Sequence, residues 1–243
     1  MKIVGVIPAR LKSTRLARKM LRDLMGKTLI QRTYENARKA KSLADVFVAC
    51  DDDEIKQQIE SFGGKARMTD RSHTSGTSRI TQVAKEVEAD VFINIQGDEP
   101  LMDPTAIDLL ASAFSKKVDF PVATLAVAKQ DEAEYKNPNV VKVVKDQNDF
   151  ALYFSRSSLP HFRDGKLRSF LKHLGIYAYT REFLLKSWHV LKPSVLEENE
   201  KLEQLRILEN GFKIKLLLTD KDSIGVDTEE DFKQVEEILK KSW

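Results

Sequence analysis

Through the first half of the chain, short apolar runs alternate with segments spaced for helices. Residues 3–7 (IVGVI), 46–50 (VFVAC), 91–95 (VFINI) and 122–127 (VATLAV) are strand-length and rich in β-branched side chains. Strands buried on both faces of a mostly parallel sheet read this way. Between them, apolar positions recur at helical intervals: Leu29, Ile30, Tyr34 and Ala37; Ile55, Ile59 and Phe62; Ile80, Val83, Ala84 and Val87; Ile107, Leu110, Ala111 and Phe114. Such alternation predicts right-handed βαβ units and an α/β fold.

Beyond about residue 128 the rhythm loosens. Residues 150–154 and 176–179 read as strands, the first entered through a polar turn (146–149, DQND) typical of a hairpin. The pattern predicts a charged helix over 196–208, a strand over 214–218 and an amphipathic helix over 228–239, with Thr228 and Asp231 spaced as a capping box. There is no internal repeat and no low-complexity linker. The expected organisation is one domain over residues 1–243, with residues 128–180 as a smaller excursion from a single sheet.

Composition narrows the class. With 243 residues and 42% hydrophobic side chains, the chain is long and apolar enough to bury a core. Its single cysteine cannot close an internal disulfide, and four histidines leave no zinc-finger spacing. Forty basic against 37 acidic residues give a net charge of +3, too small to argue for nucleic acid. The N-terminal apolar run is too short for a signal-peptide core or a membrane span. These features predict a soluble, cytoplasmic protein.

In open α/β sheets ligands bind beyond the carboxyl ends of the strands, which directs attention to the segments after each one. Residues 8–19 carry five cations and two hydroxyls directly after the first strand. That supply suits a triphosphate, since Arg presents a planar fork to phosphate oxygens; the alternative is a solvated basic loop. The Walker A pattern is absent from it. After the strand at 91–95 stands Gln96-Gly97-Asp98-Glu99-Pro100, where Asp98 suits Mg²⁺ on a substrate phosphate and Gly97 a close backbone approach, although Gly-Asp also makes a simple turn. Asp227 is a second carboxylate candidate, or a cap for the last helix. Residues 73–79 (HTSGTSR) open a helix with small hydroxyl residues, which can receive a polar ligand or merely cap it. Cys50 reads as a small core residue, and Asp51 to Glu54 as acids suited to a helix start. His161 and His189 carry no assignment.

The motifs resemble those of the CMP-Kdo synthetases, the 3-deoxy-manno-octulosonate cytidylyltransferases. Eight stand in that family's order: IPAR-x-x-STRL-x-x-K at 7–19, GK at 26–27, H-x-SGT-x-R at 73–79, N-x-QGDEP at 94–100, ALYFSRS-x-x-P at 151–160, KHLGIYAY at 172–179, KLEQLR at 201–206 and GVDTEED at 225–231. The resemblance implies a nucleotide-diphospho-sugar-transferase-like (Rossmann-like) α/β fold, with a smaller excursion for dimerisation and sugar binding. It further implies transfer of CMP from CTP to the anomeric hydroxyl of 3-deoxy-D-manno-octulosonate (Kdo), with release of pyrophosphate, for lipopolysaccharide synthesis in a homodimer. Arg10, Ser13, Arg15 and Lys19 would hold the triphosphate, with Arg10, Lys19 and Asp98 the catalytic group. Ser75, Gly76, Thr77 and Arg79 would line the cytidine pocket. Asp98 and Asp227 would bind Mg²⁺. Gln96, Arg156, His173, Tyr177, Glu203 and Gln204 would surround the sugar acid, Arg156 and His173 as its cationic clamp.

Some positions depart from the family pattern. Ala17-Arg18 stands for the usual Pro-Gly before the phosphate-binding Lys, Met20 for the following Pro, and Ser78 for the usual acid before Arg79. The loop entry is therefore expected to be less rigid, with Arg18 facing solvent. The stretch between Pro160 and His173 is shorter than in several relatives. Rival readings are the same chemistry on 8-amino-Kdo or a sialic acid, and a non-catalytic basic module that binds nucleic acid; the second lacks aromatic residues among the cations of 10–19.

Overall fold

In the computed structural model, residues 1–11 and 16–241 are described. Among them one sheet runs β3-β2-β1-β4-β8-β5-β9, formed by β1 (Ile3–Ala9), β2 (Asp45–Cys50), β3 (Ala66–Met68), β4 (Val91–Asn94), β5 (Val122–Lys129), β8 (Phe170–Thr180) and β9 (Ile214–Thr219). All neighbours on this path are parallel except β8, which is antiparallel to both β4 and β5. The hairpin β6 (Lys142–Lys145) and β7 (Ala151–Ser155) joins the sheet through β8. Its polar turn closes as expected, with the Asp146 amide donating to the Phe150 carbonyl at 2.8 Å.

Strand alternation sorts the core into two layers. Ile3 and Ile7 of β1 pack with α1 (Leu29–Ala37), α2 (Asp53–Ser61) and α4 (Pro104–Ser112) on one face. Val4 and Val6 pack with α3 (Gly76–Glu86) and α7 (Gln204–Glu209) on the other. These are the two buried faces that the apolar runs require. The remaining helices are the short α5 (Glu132–Lys136) and α6 (Val195–Glu200), and α8 (Glu229–Lys241). Helix α8 lays Phe232 and Val235 on Leu16, Leu24 and Leu29, bringing the chain end beside the basic loop. The Thr228–Asp231 capping box forms, the Asp231 amide donating to the Thr228 hydroxyl at 3.2 Å and the Thr228 amide to the Asp231 carboxylate at 2.8 Å.

Three expectations are corrected. The helix expected over 196–208 is two helices, α6 and α7, because Lys201 turns into the left-handed region at φ 53°. The strand expected over 176–179 is an eleven-residue strand, β8. Its mixed start, Phe170-Leu171-Lys172-His173, hides it from a search for apolar runs. The strand expected over 150–154 is shifted by one residue, to β7, and Phe150 makes only an isolated bridge to Lys215.

Candidate active site

The basic segment leaves β1 at the carboxyl edge of the sheet and ends in a short 3₁₀ turn, Lys19–Leu21. Lys19 is buried, and its ammonium donates to Asp98 at 2.6 Å and to Asp227 at 3.0 Å. Burial lowers the Lys19 pKa, but the two carboxylates outweigh it and hold the pKa above its ordinary value. Asp98 follows β4, while Asp227 lies between β9 and α8 and is drawn in by its neighbour, whose amide (Val226) donates to the Asp98 carbonyl at 2.9 Å. Gly97 has a steric reason: a Cβ there would stand 3.0 Å from the Pro8 carbonyl and 3.1 Å from the Met20 sulfur. Met20, at the family's usual Pro, thus packs directly under the Asp98 turn.

Arg18 adopts φ 52°, the conformation that glycine takes without steric cost, which explains the family's usual Gly at this place. Its guanidinium is exposed and paired with Glu54, in line with the solvent-facing expectation. Arg10 stands half-buried at the end of β1. Ser13 and Arg15 lie outside the described residues.

At the start of α3, Ser75 caps the helix and Ser78 completes a capping box, doing with a hydroxyl what the family's usual acid would do. Gly76 stands against Pro8 and Asn94, both 3.5 Å from where its Cβ would be. Thr77 is buried; its hydroxyl donates to Glu203 and lies 3.3 Å from the Tyr179 hydroxyl. Arg79 is fully buried, with its guanidinium on Asp51 at 3.0 Å and on Thr69. Burial presses its pKa down and the Asp51 charge opposes that.

The sugar-side candidates gather along β8 and α7. Between Thr124 and Leu125 the β5–β8 register slips, so Gly175 and Ile176 bulge out, and the Gly175 carbonyl accepts from the Gln96 amide at 2.8 Å. Thr124 plugs the bulge, its hydroxyl 2.7 Å from the Ile176 carbonyl and 3.1 Å from His173 Nε2. Burial presses the His173 pKa down to about 3, so its imidazole is neutral near pH 7 and is a hydrogen-bonding group in this state. Arg156 turns its guanidinium to the backbone carbonyls of Glu200 at 2.7 Å and Pro138 at 3.1 Å. The expected cationic clamp is therefore not assembled in this structure. Tyr177 stacks on Tyr179, and burial raises both phenol pKa values.

Among the described residues, buried side-chain atoms without a hydrogen-bond partner are Arg79 Nε, Asn94 Oδ1, Glu99 Oε2, Tyr177 OH, Gln204 Nε2 and Ser223 Oγ. Buried polar atoms are normally satisfied. Asn94 and Tyr177 are register partners across β4 and β8, and Glu99 follows Asp98, so unmet hydrogen-bonding capacity concentrates where the candidate residues meet. Burial, and then the Asp98 charge, push the Glu99 pKa up to about 7. Asn94, Glu99, Thr124 and Ser223 were given no site role from the sequence, although Asn94 and Glu99 stand within the N-x-QGDEP motif and a hydroxyl in an otherwise apolar run marks Thr124.

Among the described residues, no group of three or more His, Cys, Asp and Glu side chains is placed to hold a metal ion by itself. Two hard carboxylates converging on one cation still suit Mg²⁺, which completes its shell with water and substrate phosphates. Cys50 is buried and its thiol is pushed up to about 11 by burial, an inert core residue as expected.

The sequence profile of the cytidylyltransferase family matches residues 4–216. A 3-deoxy-manno-octulosonate cytidylyltransferase from Chloroherpeton thalassium is 49% identical over 99% of each chain, and one from Geotalea daltonii is 46% identical over 99% of each. A solved structure of CMP:2-keto-3-deoxy-manno-octonic acid synthetase complexed with CTP superposes over the whole of both chains with a TM-score of 0.95 and 41% identity.

Proposed function

The chain belongs to the cytidylyltransferase family, among the 3-deoxy-manno-octulosonate cytidylyltransferases, and from that membership we propose that it transfers CMP from CTP to the anomeric hydroxyl of Kdo. The Kdo hydroxyl oxygen bonds to the α-phosphorus and its proton passes to solvent, while the bond from that phosphorus to the β-phosphate bridge breaks with its electron pair leaving on pyrophosphate. The observation that carries the reading is the convergence of Lys19, Asp98 and Asp227 at the carboxyl edge of the sheet, beside unsatisfied polar groups suited to a polyhydroxylated acid. The names of the full-length relatives supply the sugar.

Phosphoryl transfer asks chiefly for positioning and charge stabilisation. Arg10 and Lys19, with Ser13 and Arg15, hold the triphosphate and stabilise the charge that builds on its oxygens. Ser75 and Gly76 form the cytidine side, and Arg79, sealed against Asp51, braces the helix start behind them. Asp98 and Asp227 would hold Mg²⁺, which when bound would supply further charge neutralisation. Gln96, His173, Tyr177, Glu203 and Gln204 offer donors and acceptors to the sugar hydroxyls; Arg156 reaches the sugar carboxylate only after leaving its backbone carbonyls. Purified protein supplied with CTP, Mg²⁺ and Kdo is expected to release pyrophosphate. Folded protein that releases none would reject the reading, and competing 8-amino-Kdo and sialic acid against Kdo tests the choice of sugar.

The working form is a homodimer joined through residues 128–180, a face on which Leu152 of β7 is 60% exposed. Light scattering should give twice the chain mass; a monomer at micromolar concentration would reject this. No helix among the described residues is long and apolar enough to cross a membrane, and we place the enzyme in the cytoplasm, where CTP is available. Recovery in the membrane fraction would count against that placement.

A further inference from the structure

We propose that Thr77 is a positioning residue of the sugar site: it does not bind the nucleotide but holds the Glu203 carboxylate in place for the sugar acid. The inference rests on the proposed function only in taking Glu203 as a sugar-side group. Thr77 sits in the first turn of α3 and is 1% exposed. Its one hydroxyl proton is committed to Glu203 Oε1, 126 residues away in sequence. The Tyr179 hydroxyl lies 3.3 Å from the same oxygen and can donate to it, so the three groups form a chain, Tyr179 to Thr77 to Glu203. The Tyr179 ring is itself fixed, stacked between Tyr177 and Phe183 with centroids 5.8 and 6.2 Å away.

A side chain so enclosed, with its proton already donated, has no hydroxyl proton left to offer a base or ribose. Ser75 and Gly76, each partly exposed just before it, keep the nucleotide side of the helix start. Glu203 has the opposite need. Burial pushes its pKa up, and the Ser75 and Thr77 hydroxyls oppose that push. The carboxylate is held by both hydroxyls, with Thr77 on Oε1, and its remaining lone pairs are left to accept from a sugar hydroxyl. The neighbouring Gln204 Nε2 is buried without a partner, a second group awaiting a ligand on the same helix start. Thr77 thus ties the helix that opens the nucleotide side to the helix that opens the sugar side.

Thr77→Val keeps the shape and removes the hydroxyl. It should raise KM for Kdo by about 10–100-fold, the range for losing a hydrogen bond to a charged group. The dissociation constant for CTP, read by calorimetry, should stay within about twofold, and Thr77→Ser should restore the Kdo KM. Tyr179→Phe keeps the stacked ring and removes only the far hydroxyl; it should raise the same KM by a smaller factor, and it reads the chain even if Thr77→Val fails to fold. A tenfold weaker CTP affinity in Thr77→Val, an unchanged Kdo KM in Tyr179→Phe, or a Thr77→Ser variant that behaves like the Val variant would each overturn the proposal. Wild-type protein that binds CTP but does not turn over Kdo would instead reject the proposed function, and the CTP measurement would still decide whether Thr77 binds the nucleotide.

Discussion

Asp98→Asn is expected to reduce kcat by about 1,000-fold or more, roughly 4 kcal/mol of transition-state stabilisation, with little change in the fold. The substitution keeps the size and one acceptor oxygen of the side chain but removes its charge. Asp98 is one of two carboxylates facing the Lys19 ammonium, so Asn leaves Lys19 paired with Asp227. The turn itself is held by groups that the substitution does not touch, the Thr33 hydroxyl on the Gly97 carbonyl at 2.9 Å and the Val226 amide on the Asp98 carbonyl. Thermal unfolding should therefore remain close to wild type. Binding of Mn²⁺, a spectroscopic stand-in for Mg²⁺, should weaken in the same variant. A near-normal rate in pyrophosphate release would remove Asp98 from the reacting centre.

Lys19→Met is expected to act in two directions. Turnover should fall by about 100- to 1,000-fold, because the proposed triphosphate site then loses a buried cation where charge would develop. Metal binding to the nucleotide-free protein should instead tighten, by about tenfold. The Lys19 ammonium stands within 3.0 Å of both carboxylates, so a divalent ion entering between them must displace it. Methionine fills the same volume without charge and leaves the carboxylates to the ion. Since both carboxylates are partly exposed, their attraction to Lys19 is screened, which keeps the expected gain modest. Mn²⁺ titration followed by electron paramagnetic resonance measures it. Unchanged or weaker Mn²⁺ affinity would mean that Lys19 supports the metal site and does not compete for it.

Much of the framework was legible along the chain. The runs at 3–7, 46–50, 91–95 and 122–127 became β1, β2, β4 and β5, because a strand covered on both faces must be apolar at successive positions. The helices between them were equally clear, as was the Thr228–Asp231 cap. The start of β8 was not, since Lys172 and His173 owe their places to partners on other segments. Lys172 pairs with Glu134 and Asp222, each at 3.0 Å, and His173 sits against Thr124. Lys142 is the extreme case. It lies in a strand of four residues and is wholly buried, its ammonium spent on the carbonyls of Asn137, Val140 and Arg156. No local pattern announces a lysine in a core.

By itself the sequence determined the alternation of strands and helices, and its motifs picked out the family and a set of candidate site residues. Those features are written within a few residues of one another, through 2.0- and 3.6-residue periodicity, caps and short motifs. Only the tertiary structure decided who meets whom. Lys19 lies 79 residues from Asp98 and 208 from Asp227, and Thr77 lies 126 from Glu203. Such pairs exist because the sheet order sets β1, β4 and β8 side by side while α8 folds back over the basic segment. The same packing gave some motif residues work that their type did not foretell. Arg79 is sealed against Asp51, Arg156 is turned to backbone carbonyls, and His173 is held neutral by burial. A side chain's charge and hydrogen bonds depend on its neighbours in space, and those are fixed only when distant segments close the core.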